Sequence, residues 1–325
     1  MKKKLWSLLT VILVALVTVS LSACGSKSKK ANLRGENLSG EISISGAFAL
    51  YPLVVKWADD FRKLHPDVKI DISAGGAGKG ITDALSNAVD LGMVSRELDP
   101  SEISHGAVGF TVAKDAVVPT INVKNPVLKD LLTKGATRQV FAGIWITGKL
   151  KTWGQVAKDA NSTPIAVYTR SDACGAAGTW AKYLGKKQED LKGVGVFGDP
   201  GVAQAVQKNK NGIGLNNLSY AYDGKSGKLN PGLSILPIDI NGNGKIDPDE
   251  RFYDTKSKLV KAIADGKYPS PPARDLYLVS KDVPTNPVVI AFLKYVLTEG
   301  QKENLSQGYI GISQKKLEAS LKKLK

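Results

Sequence analysis

An α/β fold of two lobes is expected from three observations. Short alternating or apolar strands are each followed by an amphipathic helix, the pattern of a largely parallel sheet. A strand, a glycine turn and a helix start recur together three times, at Gly46, at Gly75 to Gly80 and at Gly175. The chain has 325 residues, more than one hydrophobic core usually spans even after its N-terminal segment is set aside.

That segment comes first. Lys2, Lys3 and Lys4 precede an apolar run over residues 5–21, which ends in Leu21-Ser22-Ala23-Cys24. A basic start, an apolar stretch and small residues make a secretory signal over 1–23. The last four residues resemble the bacterial lipobox, which implies cleavage before Cys24 and acylation of Cys24. An uncleaved anchor is the other reading of an apolar run this close to spanning length. Either way the protein is tethered outside the cytoplasm. Residues 24–39 are rich in Lys, Ser, Gly and Asn and read as a flexible linker. Loss of the three lysines lowers the net charge from +15 to +12, a balance suited to anions or an anionic surface. No aromatic-studded basic stripe speaks for nucleic acid. With Cys24 acylated, Cys174 has no partner, so no disulfide is expected.

The folded part opens on a strand at Ile42 and Ile44, a turn at Gly46, and a helix with Pro52 in its first turn. Leu53, Trp57, Phe61 and Leu64 share one face of it. A strand over 68–72 leads to the glycines of 74–80 and a helix over 81–89. The loop is no nucleotide-binding P-loop, since its Gly-Lys lacks the following Ser or Thr. A third strand over 90–96 ends in Ser95-Arg96. Residues 116–123 form a buried strand, and a second series begins with 143–153 and a strand over 165–168. It runs into Arg170 and a helix bearing Trp180, Tyr183 and Leu184. Each junction leaves the first N–H groups of a helix pointing at one place, an anion site helped by the helix dipole. Arg170 adds a fixed fork of donors for a carboxylate or phosphate, though a surface ion pair explains an arginine equally well.

Seven blocks in order carry a specific resemblance: Ser45-Gly46 with Tyr51-Pro52-Leu53; Gly75-Gly76, Gly78 and Gly80-Ile81; Asp90, Gly92 and Ser95-Arg96; Phe141, Gly143 and 148–153; Arg170 with Gly175; 212–221; and Tyr268-Pro269 with 274–279. Together they resemble the phosphate-binding proteins of bacterial ABC importers, a branch of the type II periplasmic binding fold. The resemblance implies two lobes, 40–123 plus 272–325 and 124–271, joined by crossover strands at 116–123 and 273–280. It implies one small oxyanion, phosphate or an analogue, held in the cleft and passed to ABC permease subunits by a monomer. The matching positions are Ala47, Phe48, Ala49, Leu50, Ala77, Gly78, Ser95, Arg170, Cys174, Gly175 and Ala176. Relatives carry hydroxyl residues at several of these, where this chain has Ala47, Phe48 and Ala49, then Ala77, then Cys174-Gly175-Ala176. Backbone donors then carry more of the work. The replacements leave open a different small ligand, or a sensor or scaffold without transport.

A second motif is independent. Asp239, Asn241, Asn243, Lys245, Asp247 and Glu250 stand at the ligand positions of a twelve-residue EF-hand-like loop, with Gly244 at the sharp bend. Lys245 is tolerated where the ligand is a main-chain carbonyl. A structural Ca2+ is expected at 239–250; an Asn/Gly/Asp turn is the alternative. An enzyme is not expected, because His65 and His105 lie outside the junctions and Cys174 has no base near it in sequence.

Overall fold

The computed structural model describes residues 38–325, so the apolar leader, Cys24 and most of the linker lie outside the described residues. In chain order the strands are β1 (Gly40–Gly46), β2 (Val68–Ala74), β3 (Leu91–Val94), β4 (Ala107–Asn122), β5 (Ala166–Arg170), β6 (Val194–Val196), β7 (Gly212–Asn217), β8 (Leu233–Ile235) and β9 (Ala273–Lys281). Helices of nine residues or more are α1 (Tyr51–Leu64), α2 (Ala77–Leu85), α3 (Gly175–Tyr183), α4 (Gly198–Lys208), α5 (Lys256–Ala264), α6 (Pro287–Leu297) and α7 (Gln314–Lys322). The strands follow the order β2-β1-β3-β9-β4-β7-β5-β6, with β8 on β4.

Pairing is parallel at both ends of this path, β1 with β2 and β3, and β5 with β6 and β7. In the middle it is antiparallel, because β9 and β4 run against each other and against their neighbours. A largely parallel sheet therefore describes the ends and not the centre. β4 also begins well before residue 116 and extends over 16 residues.

Among the described residues, apolar side chains gather in two large buried clusters and a small third at Ala203, Val206 and Leu233. The first core takes Ile42 and Ile44 from β1, Trp57 and Phe61 from α1, Phe292 from α6, and Ala113 from β4. The second takes Ala116 from β4, Trp145, Trp153, Trp180 from α3, and Ala273 from β9. β4 and β9 thus pass from one core to the other, with Asp115 and Arg274 paired directly opposite each other between them.

The periodicity of α1 explains its seat. Leu53, Trp57 and Phe61 are buried, the Trp57 indole N–H donates to the Gly300 carbonyl at 2.8 Å, and Phe61 meets Phe292 edge-on. Leu64 departs from the expected face: it is 44% exposed, because the helix ends there beyond the edge of the core. α2 starts at Ala77, inside the glycine run, not after it. The glycines serve backbone packing. A Cβ on Gly80 would stand 3.0 Å from the Gly46 Cα, and a Cβ on Gly46 would stand 2.7 Å from the Gly80 Cα. Only glycine lets α2 lie this close to the β1 turn.

Candidate anion site between the two cores

The three strand-to-helix junctions meet where the cores meet. At the first, Ala47, Ala49 and Leu50 are buried. The Ala47 N–H donates to Met93 O at 2.9 Å, the Phe48 carbonyl accepts from the Tyr220 hydroxyl at 3.2 Å, and the Ala49 carbonyl accepts from Tyr309 at 2.8 Å. The Phe48 ring lies against Phe197 and Tyr220, with the Arg170 guanidinium 5.3 Å from its centre. This is a cation–π arrangement in a desolvated place.

The second and third junctions touch directly. The Gly78 N–H donates to the Ala173 carbonyl at 3.0 Å, and a Cβ on Gly76 would meet Asp172 Oδ2 at 2.7 Å. Ser95, buried at the end of β3, faces Gly175 so closely that a Cβ there would overlap its hydroxyl. α3 is capped by Cys174, whose Sγ accepts from the Ala177 N–H at 3.3 Å. Burial pushes the Cys174 thiol up to about 12, so it is neutral and no nucleophile. The N–H groups of Leu50, Gly78 and Ala177 are thus bonded within the protein, to Ala47 O, Ala173 O and Cys174 Sγ, and are not all free as the junction pattern implies.

Arg170 ends β5 and is no surface ion pair. Its Nε and Nη2 donate to the two oxygens of Asp172 at 2.8 and 2.5 Å, and its Nη1 donates to Asp199 Oδ2. The Arg170 and Asp199 side chains are 1% and 0% exposed. Burial opposes the Arg170 charge, but Asp199 and Asp172 outweigh it and hold the guanidinium above its ordinary range. Three of its five N–H bonds face carboxylates, and the other two have no hydrogen-bond partner among the described residues. Asp199 is itself held by the Asn217 N–H at 2.9 Å.

Sequence reasoning passed over Asp172, Asp199, Asn217, Tyr220 and Phe197. The Arg-x-Asp spacing is a signal for Asp172. Nothing local marks Asp199, which is brought in by α4. Arg274 stands inside the last recognised block yet gives no sign there that it is buried. It reaches Ser95 O with Nε at 3.1 Å and also donates through Nη2 to Asn217 Oδ1.

The loop at 239–250 lies in the second half of the chain, after β8. Asp239 is buried and accepts from the Gly242 and Gly244 N–H groups at 2.8 and 2.9 Å. Glu250, also buried, accepts from Ile240 and Asp247 N–H. The Asn241 and Asn243 amides donate to Asp247 Oδ2, and the Lys245 ammonium stands 3.1 Å from Asp247 Oδ1. Among the described residues, no group of three or more His, Cys, Asp or Glu side chains stands in a metal-holding arrangement. The donor chemistry nevertheless suits a hard cation: a turn of either amide replaces N–H by oxygen, and a cation already sits against Asp247.

A family model described as a PBP superfamily domain matches residues 32–299. The chain is 27% identical over 331 aligned positions to the phosphate-binding protein PstS of Bacillus subtilis, covering 98% of this chain and 97% of that one. It is 26% identical to PstS of Staphylococcus haemolyticus, with 99% and 97% covered. A structure from Clostridium perfringens, described as a phosphate ABC transporter substrate-binding protein with bound phosphate, matches with a TM-score of 0.69 at 24% identity, covering 84% of this chain and all of that one (100%). An ABC-type phosphate transport receptor from Vibrio cholerae matches at 0.59 and 22%, covering 83% and 100%. With the mixed sheet, the paired cores and the converging junctions, these matches give one conclusion: the chain belongs to the PBP superfamily and has the type II periplasmic binding fold.

Proposed function

We propose that the chain is the lipid-anchored solute-binding protein of an ABC importer, holding phosphate or a closely related oxyanion between its two cores. The observation that carries this is Arg170, buried at the convergence of the three junctions with two N–H bonds left over. On this reading the cores are the lobes 40–123 plus 272–325 and 124–271. They part to admit the anion, and the Gly78 N–H exchanges the Ala173 carbonyl for a ligand oxygen. Ser95 and the backbone at Phe48, Ala77, Gly175 and Ala176 complete the cradle, with neutral donors standing where relatives use hydroxyls. The Cys174 thiol is buried and neutral and its Sγ is engaged in capping α3, which fits capture and release without chemistry. The protein acts as a monomer, tethered through Cys24 outside the cytoplasm and delivering to permease subunits. Asp239, Asn241, Asn243, the Lys245 carbonyl, Asp247 and Glu250 are the residues that would hold a structural Ca2+, which would stiffen the second lobe.

Titration calorimetry with phosphate, sulfate, arsenate and molybdate tests the site. Phosphate or arsenate binding is expected in the wild type, and Arg170→Ala should weaken it at least about tenfold. Absence of uptake of all four anions by the folded wild type overturns the assignment.

A further inference from the structure

The crossing of β4 and β9 holds a charged group that the anion site does not use. Asp115 on β4 is 1% exposed, and apart from the neighbouring Ala116 backbone N–H no donor reaches its carboxylate oxygens. Opposite it on β9, the buried Arg274 stands as a loose ion partner, with Nη2 3.8 Å from Asp115 Oδ2, beyond hydrogen-bond reach, and Nη1 unpartnered. The guanidinium instead bonds Ser95 O, at the end of β3, and Asn217 Oδ1, at the end of β7. One of these belongs to the first core's sheet and the other to the second's. Asn217 in turn donates its N–H to Asp199, which holds Arg170. A hydrogen-bonded chain therefore runs from Ser95 through Arg274, Asn217 and Asp199 to Arg170.

A buried carboxylate with no side-chain donor, beside a buried guanidinium with a spare one, is costly for both. A small rotation of Arg274 would satisfy them by a forked pair, at the loss of both bonds across the cores. We propose that Arg274 is an interlobe latch with two seats: Ser95 and Asn217 when the cores are closed, Asp115 when they part. Asp115 is the release partner, and its unmet oxygens keep the closed form from standing unaided. Lys256 on α5 and Asp199 on α4 are the other charged groups facing this crossing; the Lys256 ammonium is held by Gln307 O at 2.7 Å. Arg274 is a positioning residue: it acts on the anion through Ser95 and Arg170. The proposal rests on the anion-binding reading for its ligand arm alone.

The test uses the purified full chain, hydrogen exchange over residues 74–80 and 172–177, and calorimetry with inorganic phosphate. Asp115→Asn should slow exchange of both segments without anion and tighten phosphate about fivefold or more. Arg274→Gln should speed exchange and weaken phosphate about tenfold or more. Asn217→Ala removes the same seat with less risk to folding and should act as Arg274→Gln does. Opposite signs for the two ends of the latch are the signature; residues needed only for folding would all speed exchange. Effects of one sign, or unchanged exchange in folded variants, overturn the latch. If the wild type takes up no phosphate, the phosphate assignment falls, and the anion-free exchange arm still decides the latch.

Discussion

The candidate anion site and the 239–250 loop both bury carboxylates, but they compensate them differently. At the junctions, Asp199 and Asp172 face the guanidinium of Arg170, charge against charge. In the loop, Asp239 and Glu250 face backbone N–H groups, charge against dipole. The first arrangement is strong only while complete, since removing one member strands the other away from water. The second is spread over several neutral donors, so no single loss is severe, and it leaves negative charge for an added cation to neutralise.

The sharpest way to break this contrast is at Asp199. Asp199→Ala should cost about 3–5 kcal/mol in urea unfolding, because Arg170 keeps its charge and loses a fully buried partner. A cost below about 1 kcal/mol would mean that the guanidinium is solvated and that the two regions do not differ in kind.

Asp115 is an intermediate case, with an ion partner 3.8 Å away and no side-chain hydrogen bond. Burial pushes its pKa from 3.8 to about 6; Arg274, the Ala116 backbone N–H and Lys256 pull it down and Asp199 adds a smaller upward push. Below about pH 3 the carboxyl is protonated in the folded and unfolded chains alike and contributes nothing. As pH rises toward about 6 the unfolded chain ionises first, so the group disfavours folding increasingly, and fully above that. The difference in unfolding free energy between wild type and Asp115→Asn should therefore shift by about 3 kcal/mol between about pH 3 and about pH 7, in favour of the variant. A flat difference would show that the carboxylate is hydrated or paired.

The loop gives the smallest effect. At a hundredfold excess over its dissociation constant, calcium should stabilise the wild type by about 2.7 kcal/mol, read as a raised melting temperature that chelator reverses. Glu250→Gln should abolish that response while lowering the calcium-free stability by only about 1 kcal/mol. Equal melting curves with and without calcium would leave 239–250 an Asn/Gly/Asp turn.

Local patterns made much of the molecule legible. Apolar periodicity marked α1 and its Trp57 seat, the glycine turns marked the junctions, and twelve contiguous residues marked the loop, because each is an arrangement of near neighbours in the chain. Leu64 shows the limit: it keeps the helical period but reaches past the edge of the core that would cover it. The glycines at 75–80 had two uses compatible with one spelling. Whether they cradle a ligand or let α2 approach the Gly46 turn depends on what stands opposite, and that is a second segment of chain.

By itself, then, the sequence determined the strand and helix periods, the three junctions, the family and the presence of Arg170 at the third junction. These follow from the chemistry of short segments and from a block order specific enough to compare. Only the tertiary structure decided that Asp172 and Asp199 neutralise Arg170, that Ala173 meets the Gly78 N–H, and that Arg274 turns from Asp115 toward Ser95 and Asn217. Those partners lie 29 to 179 residues apart in the longer cases. Nothing local constrains which of them meet; the crossing of β4 and β9 between two cores brings them together, and burial there makes each charge depend on its neighbour.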